Sequence, residues 1–385
     1  MLYTVALTII PGISATMQLD LIRHCSSAED IVMRPDETLK STNMSYRYKV
    51  INAINTHRSS ALAKAQEELA FCQHHGIQVL PITSPDYPTR LMECSDAPVV
   101  LYYRGKANLN TRHVLAVVGT RKITEYGKQV CARFTERLAQ LLPDTLVISG
   151  LAYGADIHTH RGCLEHGLPT VGVVAHGLDQ IYPATHRNDA QKMVTGNGGI
   201  LTEYVRGVRP LQGNFLRRNR IVAGMADATI VVESAEHGGS LVTARIAYSY
   251  DRDVYAFPGR INDTYSVGCN QLIQNLKATM ILSADDVVRD LGWWEESTAA
   301  QAQSQQLSLF DDANFGAPQQ SQLLPNMPAD QLRLAQALQG TDGLTAASLA
   351  SQTGLPVAEV SNLLFDMEMD GIVKVLPGGF YLLTK

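Results

Sequence analysis

The chain lacks the features that mark several protein classes. Its six cysteines, Cys25, Cys72, Cys94, Cys131, Cys163 and Cys269, lie far apart and form no CxxC pair. That spacing excludes a zinc ribbon or a disulfide-dense secreted fold, and suits buried thiols in a reducing cytoplasm. No apolar run is long enough to cross a membrane. The opening MLYTVALTIIPGI is apolar but has no basic leader and soon meets Pro11-Gly12, so it reads as core rather than as a signal peptide. Positive charge is not in excess: 32 Lys and Arg face 37 Asp and Glu, a net charge of −5. With no global field to attract nucleic acid, any polyanion site must be a local patch. Neither GxGxxG nor GxxxxGK[ST] occurs at a strand end, which argues against a standard dinucleotide enzyme and a P-loop NTPase. No metal or organic cofactor is expected.

What is present is ordinary globular material, 385 residues with 45% apolar and 18% charged side chains, enough for two or three domains. Residues 1–75 have helical spacing and few breakers after Gly12, and predict a helical domain. The IIPGIS turn, Ile9–Ser14, gives that domain a SAM/helix-hairpin-helix-like character, although an ordinary Pro-Gly helix turn without DNA contact is the favoured reading. Over 76–295 the pattern changes. Short β-branched runs at Val114–Val118, Thr145–Ile148, Thr170–Val174, Ala228–Val232 and Val254–Phe257 alternate with helical segments. Such alternation implies an α/β fold with a parallel sheet covered on both faces. Residues 296–327 are rich in Gln, Ser, Ala and Pro and read as a disordered linker. Three helical patterns and a hairpin at Gly378-Gly379 then make 328–385 a winged helix.

The chemistry concentrates in Asn214–Ala244. Between Arg206 and Arg220 stand five arginines and no acid. Arg217, Arg218 and Arg220 precede a buried strand, and the turn Gly238-Gly239-Ser240 opens a helix. Guanidinium forks pair with phosphate, and the free amides of a helix start add donors and positive dipole. Further glycine turns at Gly119, Gly150 and Gly177 end other strands, where open parallel sheets bind ligands. Tyr126, Tyr153, Tyr182, Phe215 and Tyr265 stand near these loops and could stack free bases. Phe215, beside the arginines, is the best placed, although core packing would explain any one ring. His158 and His160 lie two apart on a helix and so face different ways, and Asp156 reads as a helix N-terminal cap.

The blocks VVGTRK, SGLAYGADIHTHRGCL, AHGLDQIYP, GGILTEY, NFLRRNRIVAGMADATIVVES, GGSLVTA, YAFPG and GCNQLI, in this order between about Leu115 and Ile281, resemble the DNA-processing protein A (DprA/Smf) family. The resemblance implies an extended Rossmann-like domain that binds single-stranded DNA, without catalysis. It further implies a homodimer that protects incoming DNA in natural transformation and helps load the RecA recombinase. Carried over position by position, DNA contacts fall on Arg121 with Lys122, on Gly150, on Phe215, Arg217, Arg218, Asn219 and Arg220, and on Gly238, Gly239, Ser240 and Thr243. Three positions depart from the family pattern: Leu216 replaces a proline, Gln212 a lysine found in some members, and Lys277 a glycine.

Two features lie beyond that domain. In the linker, QLSLF (Gln306, Leu307, Leu309 and Phe310 as its anchors) resembles the peptide with which bacterial proteins dock on the DNA sliding clamp. The winged helix has six acids against three bases in 326–385, and its third helix carries Glu359, Asp366, Glu368 and Asp370 without a cation. Phosphate repulsion turns it toward protein contacts rather than duplex DNA. The competing readings are a nucleotide hydrolase or phosphoribohydrolase, with Glu203 and Glu233 as the carboxylates to suspect, and an adaptor that recruits replication proteins.

Overall fold

Helical spacing with few breakers makes the first part of the chain a run of helices. The computed structural model describes residues 1–25, 27–40, 42–294, 328–338, 343–369, 372–376 and 380–383. It begins with α1 (Leu2–Ile9), α2 (Ala15–His24), α3 (Ala28–Met33), α4 (Pro35–Lys40) and the long α5 (Arg47–His74). Ile9–Ser14 is a tight turn between α1 and α2. Gly12 supplies its left-handed φ of +85°, and Ser14 caps α2 by accepting from the Met17 amide.

Contacts divide the chain into two compact units, Met1–Phe310 and Asp311–Lys385. In the first, the helical segment shares its core with the sheet. Val5, Leu7, Leu21 and Ile54 belong to the same buried cluster as Tyr102, Val114, Ile148 and Val173. Buried Glu68 on α5 strengthens the join by accepting from the Arg206 amide, with burial raising its carboxyl pKa.

The sheet is built from β1 (Gln78–Pro81), β2 (Val100–Gly105), β3 (Val114–Val118), β4 (Leu146–Ser149), β5 (Thr170–Val173), β6 (Gly199–Thr202), β7 (Ala228–Val231), β8 (Asp253–Ala256) and β9 (Thr279–Met280), in the order β1-β2-β6-β5-β4-β3-β7-β8-β9. The helices between its strands are α6 (Thr89–Met92), α7 (Glu125–Leu141), α8 (Ala155–His166), α9 (Arg187–Thr195), α10 (Gln212–Gly224), α11 (Gly239–Ser249) and α12 (Val267–Gln274), and α13 (Ala284–Asp290) follows β9. From β6 to β9 neighbouring strands are parallel, and β3, β4, β5 and β7 are buried along their whole length. Burial on both faces removes the polar alternation of a half-exposed strand, which is why these strands read as continuous apolar runs. The antiparallel edge β1–β2, joined through β2 to β6, was not expected. The β6 segment, short and opening with Gly198-Gly199, looks like a turn until Tyr103 pairs with Leu201.

Chain order reverses at β3. The chain adds β4, β5 and β6 on one side and then returns to lay β7 on the other. The crevice beyond the carboxyl ends of β3 and β7 is therefore the topological switch point, where open α/β sheets receive ligands.

The second unit contains α14 (Ala329–Leu338), α15 (Ala346–Thr353) and α16 (Val357–Met369) with a small antiparallel sheet, β10 (Leu344–Thr345), β11 (Val373–Leu376) and β12 (Phe380–Leu383). Leu334, Leu349, Val360, Leu364 and Met367 form its core. This is the expected winged helix, with β10 paired to β12 as an addition to the two-stranded wing. The expected linker, including Gln306, Leu307, Leu309 and Phe310, and the turn Gly378-Gly379 lie outside the described residues.

Candidate functional site

Three strand ends and one helix converge on an open cavity of about 350 Å³ at the switch point. The loop after β3 brings Gly119, Thr120 and Arg121, and the loop after β4 brings Gly150 and Ala152. From α10 come Phe215, Leu216, Arg218 and Asn219; the start of α11 adds Gly238, Gly239, Ser240 and Thr243. The loops are knitted together by backbone bonds, Thr120 N–H to Glu233 O at 2.7 Å and Ala155 N–H to Thr120 O at 3.1 Å.

Arg218 is 4% exposed, and its Nη1 donates to Val173 O at 2.7 Å. Its Nε is buried without a partner. The close approach of this guanidinium requires glycine at 150: a Cβ there would stand 1.9 Å from Arg218 Nη1. Buried Asp156 also lines the cavity and accepts from the Gly150 and Ala152 amides at 3.1 and 3.3 Å. Burial raises the Asp156 carboxyl pKa and lowers that of the Arg218 guanidinium, and each opposes the shift of the other. Asp156 therefore organises the loop after β4 from the first turn of α8.

Arg121 is exposed, with its guanidinium 5.2 Å from the centre of the Phe215 ring. Phe215 lies 5.8 Å from Tyr182, and Tyr182 is 47% exposed. A cation and two rings thus form a ledge beside the cavity. Ser240 and Thr243 also line the cavity and are buried, and Ser240 Oγ donates to Ser234 Oγ at 2.9 Å. The amides of Gly239 and Ser240 precede the hydrogen-bond ladder of α11, so the helix start offers donors to an anion.

A family model described as DNA recombination-mediator protein A matches residues 78–292, and a second, DprA winged helix domain, matches 317–379. The chain belongs to the DNA recombination-mediator protein A family. Protein Smf of Escherichia coli (strain K12) is 30% identical over 83% of this chain and 81% of its own length. The DNA processing protein DprA of Streptococcus pneumoniae (strain ATCC BAA-255 / R6) is 40% identical over 53% of this chain and 71% of its own. Among solved structures, DNA processing protein A from Streptococcus pneumoniae has a TM-score of 0.63 at 28% identity, covering 75% of this chain and 97% of that one. A structure of DNA processing protein A from Helicobacter pylori, whose subject is its single-stranded DNA binding mode, has a TM-score of 0.50 at 30% identity and covers 56% of this chain and 95% of that one.

The DNA recombination-mediator protein A motif around Arg217–Arg220 is divided by the fold. Only Arg218 and Asn219 line the cavity, while Arg217 and Lys122 are exposed outside its lining. Arg220 is 8% exposed and pairs through Nη2 with Glu203 Oε2, with Asp96 at 3.9 Å from its Nε. It holds the end of β6 and the segment before β2 against α10. The arginine-rich segment before β7 is helical from Gln212 to Gly224. Arg218 and Arg220 are buried together with Ile221, Val222, Ala223 and Gly224, and arginine at two of these positions hides the buried face. Leu216 fits this geometry, since a proline there would remove the helix bond to the Gln212 carbonyl.

The suspected carboxylates have structural partners. Glu233 accepts from the Thr124 amide at 2.9 Å and from its hydroxyl at 2.5 Å, fixing the start of α7. Glu203 is held by Arg220. Of the other rings, Tyr126 and Tyr265 line a separate cavity beside Pro258, with Tyr126 donating to Pro258 O at 2.7 Å. Tyr153 packs edge-on to His186 at 4.9 Å. Thr120 and Ala152 also line the main cavity. Nothing in their residue types singled them out, and only their place beside the named residues does so.

Proposed function

We propose that this chain binds single-stranded DNA across the β3–β7 crevice and performs no chemistry on it. The observation that carries the reading is the convergence of Arg121, Phe215, Arg218, Asn219 and the Gly238–Ser240 turn on one open cavity. Cations and helix-start amides suit phosphates, and the Phe215–Tyr182 ledge suits unpaired bases, which duplex DNA keeps stacked inside. The single-stranded DNA of the Helicobacter pylori relative supports the same ligand here. The bonds of Glu233 count against a hydrolase, because both its oxygens are taken by Thr124, and Glu203 is ion-paired with Arg220 through Oε2.

Within the cytoplasm, the family resemblance supports a homodimer that protects single strands and passes them to the RecA recombinase, in natural transformation or in recombination. The test is a salt-titrated comparison of single-stranded and duplex DNA with the wild type and Arg121→Ala. Preference for the single strand, weakened by the substitution and by salt, supports the reading. Equal affinity for both forms, or an Arg121→Ala variant that binds as the wild type does, rejects it.

A further inference from the structure

Tyr153 stands one residue beyond Ala152, which lines the main cavity, and is 47% exposed. The protein nevertheless holds this ring in place from several sides. Buried Leu151 takes the left-handed region at φ +57°, a conformation uncommon outside glycine. Buried His186 secures that turn, its Nδ1 donating to Leu151 O at 2.9 Å, and packs edge-on to the Tyr153 ring at 4.9 Å. Thr185 Oγ1 donates to the Tyr153 hydroxyl at 3.3 Å. On the far side Gly154 lies against the loop after β3: a Cβ there would meet Thr120 O at 2.1 Å and Arg121 Cα at 2.7 Å. These contacts form a closed circuit that starts and ends on a residue lining the cavity. Arg121 lies over Phe215, Phe215 faces Tyr182, Thr185 of the Tyr182 segment bonds Tyr153, and Gly154 returns the chain to Arg121.

We propose that Tyr153 stacks a base of the bound single strand, next to the base received by the Phe215–Tyr182 ledge. The inference rests on the DNA reading of the main cavity. An edge contact with His186 covers at most one face of the ring, and a ring ordered before binding loses little entropy when a base settles on it. Stacking uses the π-face that every base has, so the contact is indifferent to sequence, and it requires an unpaired base. It adds no phosphate contact and so leaves the salt dependence of binding unchanged.

The test measures binding of the full chain to an oligothymidylate of about 15 nucleotides and to an abasic strand of the same length, which keeps the phosphates and removes the bases. The variants are Tyr153→Ala and Tyr153→Phe. Tyr153→Ala should bind the oligothymidylate roughly tenfold more weakly, the size of one base–aromatic stack, with an unchanged salt slope. On the abasic strand it should match the wild type within about twofold. Tyr153→Phe keeps the ring and loses the Thr185 bond, and should bind both strands as the wild type does. Wild-type affinity of Tyr153→Ala for the oligothymidylate overturns the proposal. An equal loss on both strands also overturns it, because that marks a disturbed loop rather than a lost stack. A Tyr153→Phe variant as weak as Tyr153→Ala assigns the effect to the hydroxyl and overturns it as well. If Arg121→Ala leaves all binding intact, the underlying DNA reading fails instead, so the two failures are distinguishable.

Discussion

Two arginines that look equivalent in sequence should respond differently to truncation. Arg121 is exposed, stacks at 5.2 Å on Phe215 and forms no ion pair among the described residues. Arg121→Ala should remove one phosphate contact and an exposed cation–π contact of about 0.5–1 kcal/mol. DNA affinity should fall roughly tenfold at low salt and the salt slope by about 0.7, with almost no change in melting temperature. Arg218 is buried, and its Nη1 bonds to Val173 O. In Arg218→Ala that carbonyl loses a charge-assisted partner and Asp156 loses a nearby buried cation, a cost of about 2–3 kcal/mol. At roughly 2 °C per kcal/mol for a unit of this size, the melting temperature should drop on the order of 5 °C. Weaker binding by this variant alone would therefore not prove a DNA contact, although the sequence motif makes Arg218 the natural target. Differential scanning calorimetry and fluorescence anisotropy on both variants decide the matter. A wild-type melting temperature for Arg218→Ala, or wild-type affinity for Arg121→Ala, would refute the division between a solvent-facing contact and a buried support.

Other outcomes are expected elsewhere. Buried His160 faces Thr170 Oγ1 at 2.7 Å, and burial drives its pKa from 6.5 down to about 3. Because the folded pKa is depressed, its stability contribution is complete above pH 6.5 and drains as pH falls toward 3, by up to about 1.4 kcal/mol per pH unit. His160→Gln should flatten urea midpoints measured from about pH 7 to about pH 4.5, and an unchanged slope would contradict the assignment. Ending the chain after Trp294 should leave single-stranded DNA affinity within about twofold, since acidic α16 repels phosphate. A tenfold loss would place a DNA contact in the winged helix. Leu309→Ala with Phe310→Ala should abolish capture of the chain by a bacterial sliding clamp, and equal capture would remove the linker peptide from consideration.

Much of the fold was legible because it rests on local pattern. The β-branched runs at β3, β4, β5, β7 and β8 appear within a residue of their expected places, and the helices of the winged unit do so nearly as well. What escaped were elements whose identity comes from distant partners. β6 becomes a strand only between β5 and β2, and α10 has its buried stripe partly written in arginine. The candidate site shows the same limit. Its glycine turns and cations could be named, but Thr120 and Ala152 enter only because their loops meet.

The sequence by itself determined a parallel α/β sheet with glycine-rich strand ends, an arginine-rich segment before β7, and an acidic winged helix after a polar stretch. Only the tertiary structure decided what each arginine does. Arg121 reaches solvent over Phe215, Arg218 lies under Gly150, and Arg220 is taken by Glu203 and Asp96. The reason is desolvation: a buried guanidinium needs partners, and here they come from strand ends and loops far away in the chain.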